Sequence, residues 1–103
     1  MIQPDITKTG GISEGRPMGQ AAIAAGRRLC FHMYGGALGL LASAHLAAAL
    51  DGSDWCEMDG VPNPTYTDLL DAEIAVRGGE LVLPPGPGLG VAPRADALAR
   101  FAA

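Results

Sequence analysis

Three short apolar runs, Ile2–Ile6, Leu29–His32 and Ser53–Met58, recur with a helix-length stretch between each pair. This recurrence constrains the chain more than any other feature. Short runs of this kind, bounded by turn signals, fit buried strands better than helices. A strand–helix–strand–helix–strand order at this spacing means parallel strands joined by right-handed crossovers. The expected class is therefore α/β.

The stretches between the strands carry helix punctuation. After a loop at Thr7–Gly11, Ser13 is a candidate N-cap for a helix running to about Ala25. On that reading Pro17 falls in or near the first turn, where a missing N–H is tolerated. Ala21, Ile23, Ala24 and Ala25 suit close packing, and Gly26 suits the position after the helix end. Arg27 and Arg28 then complement the helix dipole. A second helix is expected over Gly36–Leu50, closed by Asp51-Gly52. Beyond the third strand, residues 59–71 read as a loop with one turn of helix near Asp68–Leu70. Ala72–Arg77 and Glu80–Leu83 flank Gly78-Gly79 as a hairpin, Pro84–Gly88 form a loop, and Arg94–Phe101 form a terminal helix.

Composition narrows the class. A chain of 103 residues is one domain at most, too short for a full (β/α)8 barrel or for two Rossmann halves. Hydrophobic residues at 49% against 17% charged argue for a packed core rather than disorder. Seven basic residues against eleven acidic, a net charge of −4 and few aromatics leave nucleic acid without a binding surface. Met33–Leu50 carries no formal charge over eighteen residues, but Gly35, Gly36, Gly39, Ser43 and His45 make it a buried helix rather than a membrane span. Met1–Asp5 has no secretory signal, and Cys30 and Cys56 lack the spacing of zinc ligands. Both read as reduced thiols of a cytoplasmic protein.

In parallel barrels, chemistry sits at the C-terminal ends of the strands. Asp5, His32 and Glu57 stand at the ends of the three runs, each followed within a few residues by a glycine-containing loop. One such residue is usually a cap or a surface group; three on successive strands form a candidate rim site. His45, among alanines, reads as structural, and Lys8 as a solvated loop lysine. The G-x-G-x-G of Gly86–Gly90 has prolines and no following phosphate-facing helix, so it is no nucleotide loop.

Gln3-Pro4-Asp5, Gly10-Gly11-Ile12-Ser13-Glu14, His32, Leu41–Leu46, Trp55-Cys56-Glu57-Met58, Pro62-Asn63-Pro64 and Pro87–Val91 follow one another in an order that resembles the mandelate racemase/muconate lactonizing enzyme family of the enolase superfamily. The resemblance implies a partial (β/α)8 barrel. Ile2–Ile6, Leu29–His32 and Asp54–Met58 would be its strands six to eight, residues 1–71 the barrel portion, and residues 72–103 a tail returning to a capping domain. It further implies a His32–Asp5 dyad of the mandelate racemase type, with Asp5 fixing the imidazole tautomer. An aspartate at position 5 differs from the lysine of the muconate-cycloisomerase type. Glu57 would be the strand-eight acid that, protonated, donates to the substrate carboxylate. The implied activity is Mg2+-dependent removal of a proton α to a carboxylate, in an acid-sugar dehydratase or a racemase. The metal ligands and lysine base would lie on earlier strands, outside this chain. The implied partners are a sugar acid, the upstream barrel with its capping domain, and further copies in a homo-oligomer. A non-catalytic α/β piece that pairs with another chain is the other reading.

Overall fold

The structure, a computed structural model, describes residues 1–102. Its elements run α1 (Gly11–Ala24), β1 (Cys30–Phe31), α2 (Ala37–Ala48), β2 (Trp55–Cys56), α3 (Pro64–Thr67), β3 (Ala75–Arg77), β4 (Glu80–Val82) and α4 (Ala95–Phe101). The α/β alternation expected over the first half is present. β1 pairs with β2 in parallel, Cys30 opposite Trp55 and Phe31 opposite Cys56. On its other side β1 meets the N-terminal segment through the parallel bridge Ile2–Leu29. The central strand is thus β1.

Several boundaries differ from the sequence reading. α1 starts at Gly11, and Ser13 lies inside it rather than capping it. The Asp5–Gly10 turn runs directly into the helix, with the Gly11 N–H donating to the Ile6 carbonyl. Gly10, at φ 96°, makes this entry possible. Pro17 consequently sits in the helix interior, not its first turn. The end of α1 follows expectation. Gly26 has φ 65°, the Arg27 N–H bonds the Ala22 carbonyl and the Gly26 N–H bonds the Ile23 carbonyl. This is the paired hydrogen bonding of a glycine-terminated helix. The short helical turn of the tail falls at Pro64–Thr67, ahead of the Asp68–Leu70 position. There Asn63 accepts from the Thr65 N–H, and Pro64 stands where no N–H is needed.

Two apolar clusters share α2. The first joins Ile6, Ala22, Leu29, Phe31, Leu46, Ala47 and Leu50, between α1, β1 and the C-terminal half of α2. Gly15 and Gly19 let α1 approach closely: a Cβ on Gly15 would lie 2.6 Å from Ile6 Cγ2, and one on Gly19 2.6 Å from Leu50 Cδ1. The second cluster joins Ala37, Leu41 and Leu70, with Tyr66, Leu69, Ile74, Leu89 and Val91 packed against it. The tail closes over it through an antiparallel bridge, Leu70–Pro93, flanked by Asp71 N–H to the Ala92 carbonyl and Arg94 N–H to the Leu69 carbonyl. Arg100 adds an ion pair to Asp68 at 2.6 Å. No helix among the described residues is long and apolar enough to cross a membrane.

Candidate functional site

Strand register brings the three sequence candidates into one row. Ile2 is level with Leu29, and the His32 N–H donates to the Pro4 carbonyl at 3.1 Å, which carries the pairing forward to set Asp5 level with His32. Phe31 is level with Cys56, so His32 is level with Glu57. Residues in one row of a parallel sheet share a face. Leu29 and Phe31 belong to the helix-packed cluster. The row ending in His32 therefore faces away from α1 and α2.

Within the row, His32 and Glu57 meet. His32 Nδ1 lies 2.8 Å from Glu57 Oε2, with the two side chains 39% and 35% exposed. The same Oε2 accepts from the Met33 N–H at 2.7 Å. An ionised carboxylate oxygen only accepts, so Nδ1 carries the proton in this contact and Nε2 holds a free lone pair. Glu57 Oε1 makes no hydrogen bond among the described residues.

Asp5 is engaged locally. Its Oδ1 accepts from the Thr7 N–H at 2.9 Å and from Thr7 Oγ1 at 2.6 Å, and its Oδ2 accepts from Lys8 Nζ. The Lys8 ammonium, followed by the Thr7 hydroxyl, holds the Asp5 carboxyl down at about 2. No hydrogen bond joins Asp5 to His32 among the described residues. Cys30 shares the face of His32, buried and unbonded to Cys56, and burial pushes its thiol up. Trp55 lies on this face too, 54% exposed, with the Arg28 guanidinium 4.5 Å from its ring centre. His45 lies elsewhere, its Nδ1 bonded 2.8 Å from the Leu41 carbonyl oxygen within α2.

The sequence reading missed two contributors. Lys8 is a partner of Asp5 rather than a solvated side chain, and Asp5-x-Thr7 is a local turn signal that points to this engagement. Asn63 ties the loops behind the row together. Its Nδ2 donates to the Gly35 carbonyl at 3.0 Å, and its Oδ1 accepts from the Thr65 hydroxyl, which in turn accepts from the Ala37 N–H that opens α2. Asn63-Pro64 is a helix-start pattern, visible once the short helix is placed there.

Residues 1–97 match the family described as enolase C-terminal domain-like. The chain belongs to this family. Arabinonate dehydratase of Saccharolobus solfataricus is 38% identical over 90 residues, covering 87% of this chain and 24% of the relative. D-galactarolactone cycloisomerase of Agrobacterium fabrum is 28% identical over 109 residues, covering 98% of this chain and 29% of the relative. A crystal structure of an enolase of the mandelate racemase subgroup from Agrobacterium tumefaciens superposes with a TM-score of 0.84 at 29% identity, over 99% of this chain and 28% of that one. The chain thus spans about a quarter of the length of the curated relatives it matches. Its α/β architecture is that of part of an enolase-superfamily barrel domain. Enzymes of this superfamily generally use Mg2+. Among the described residues no three His, Cys, Asp or Glu side chains gather as a metal site, so the donor set found in this chain does not fit the ion by itself.

Proposed function

We propose that this chain forms the closing part of the barrel of a larger acid-sugar dehydratase, and that Asp5, His32 and Glu57 are its contribution to the active site. The row of the three at the strand ends carries the reading, and the arabinonate dehydratase relative supports a sugar acid as substrate. Ile2–Ile6, Leu29–His32 and Asp54–Met58 would then be strands six to eight, residues 1–71 the barrel portion and residues 72–103 the tail. Mg2+ ligands, the lysine base and the capping domain would come from outside this chain, in a cytoplasmic homo-oligomer.

In dehydration, the proton α to the carboxylate leaves and its electron pair forms a carbon–carbon double bond. The β-hydroxyl then departs as water with a proton supplied to its oxygen, and the enol becomes the keto acid. His32 Nε2, with its free lone pair and half-exposed ring, suits either proton transfer. Asp5, ionised, supports the imidazolium across the row. Glu57 Oε1 faces the substrate carboxylate and, when protonated, donates to it. The cycloisomerase relative favours a second reading, in which His32 handles a proton in an isomerisation without loss of water.

The experiment supplies the chain with a second chain carrying the upstream barrel and capping domain, adds Mg2+, and screens sugar acids for keto-acid formation. The pair should turn over and the 103-residue chain alone should not. In the pair, His32→Asn should lose turnover by 10²-fold or more while still binding substrate, given general acid–base contributions of about that size. Turnover by the chain alone, or unchanged turnover in His32→Asn, would overturn the reading.

A further inference from the structure

We propose that Glu57, not Asp5, sets which nitrogen of His32 carries the proton, and that Lys8 keeps Asp5 in its own strand-end turn. The mechanistic weight of this inference rests on His32 as the proton carrier; its geometry does not. Three observations carry it. Glu57 Oε2 lies within hydrogen-bond distance of both His32 Nδ1 and the Met33 N–H, so the backbone donor fixes this oxygen as an acceptor. Both Asp5 oxygens already have partners within three residues in sequence. These local contacts need no tertiary structure to form, and turning Asp5 toward His32 would break the Lys8 ion pair. The row therefore places two carboxylates beside one imidazole and commits only one of them to Nδ1. Glu57 acts here as a positioning residue: with Nδ1–H held, Nε2 is the nitrogen left to face a substrate.

The test reads the imidazole tautomer directly. The full chain, labelled with 15N-histidine and carrying His45→Gln so that one histidine reports, is sedimented and measured by magic-angle-spinning NMR well above the ordinary histidine titration range. This measurement serves dissolved and associated protein alike. His32 should be mainly Nδ1–H. Glu57→Leu, which removes the acceptor, should shift the majority of the population to Nε2–H. Glu57→Gln should retain Nδ1–H, because the Met33 N–H keeps an amide oxygen turned toward Nδ1. Asp5→Asn should leave the tautomer unchanged. An Asp5→Asn shift as large as that of Glu57→Leu would overturn the inference and give the role to Asp5. So would an unmoved tautomer in Glu57→Leu when the backbone spectrum shows the fold intact. A Glu57→Leu chain that fails to fold moves the decision to Asp5→Asn and Glu57→Gln: a tautomer lost in the first and kept in the second overturns the inference, and the reverse supports it. Turnover is not read, so a failed dehydratase assay and a failed tautomer assay remain separate results.

Discussion

Asp5 shows how one exposed-rim carboxylate acquires a large shift without deep burial: an ammonium, a hydroxyl and a backbone N–H all favour its charged form. Its value in the folded chain, about 2, lies below the 3.8 of an ordinary aspartate. A depressed folded value means that the unfolded chain binds the proton first. The associated stability is present above the ordinary aspartate range and is lost as pH falls through about 2. Lys8→Met removes the leading cause, so the Asp5 carboxyl should titrate closer to the ordinary range, followed by carboxyl 13C shifts. The variant should also lose less stability than the parent between pH 4 and 2 (both marks rounded from the two carboxyl values), measured by denaturant unfolding. An unchanged Asp5 titration would remove Lys8 from the account. The sequence placed Asp5, His32 and Glu57 on one rim because strand-end position is a one-dimensional property. Which of the three bond to each other depends on rotamers and on competition from Thr7 and Lys8, and strand-end position says nothing of that.

At the scale of elements, α1 carries a local cost for the sake of contact. Glycine inside a helix is unfavourable by about 1 kcal/mol relative to alanine, so an isolated helix would gain from Gly15→Ala. In the folded chain the added methyl would meet Ile6 Cγ2 at 2.6 Å and Leu46 Cδ2 at 2.9 Å. Ile6 is β-branched and stiff, and overpacking costs about 1–3 kcal/mol, so Gly15→Ala should lower stability by about 1 kcal/mol net. Thermal melts of the two proteins measure this, and a stabilised variant would show that α1 can move away. The same pair of glycines explains why the start of α1 was read late. Ser13 is a strong capping type and Pro17 a strong first-turn type, so both drew the expected start forward. The actual entry uses backbone bonds at Ile6 and a left-handed glycine, neither of which has a side-chain signature. By contrast the glycine stop at Gly26 and the Gly78-Gly79 turn, both at positive φ, were legible because that backbone conformation selects glycine. The strands contracted to cores of two or three residues, since the apolar runs mark burial and hydrogen-bond pairing covers less of them.

For the whole molecule, the parallel sheet ends on both sides without a neighbour among the described residues: residues 2–5 form one edge and β2 the other. Unpaired edges and exposed apolar side chains such as Trp55, Ile2, Val76 and Val82 favour association. The isolated chain should sediment as oligomers at micromolar concentration and bind apolar-surface dyes, and a single cooperative monomer would show that the chain closes its own core. The shared position of α2 has a consequence for how such a molecule opens. Its buried side chains serve the strand-side cluster through Leu46 and Ala47 and the tail-side cluster through Ala37 and Leu41. Neither cluster can come apart and leave that helix fully covered. Amide protons in the middle of α2 should therefore exchange with deuterium slowest of all, through one opening that releases strands and tail together. Two well-separated exchange classes within α2 would instead show that barrel piece and tail open as independent units.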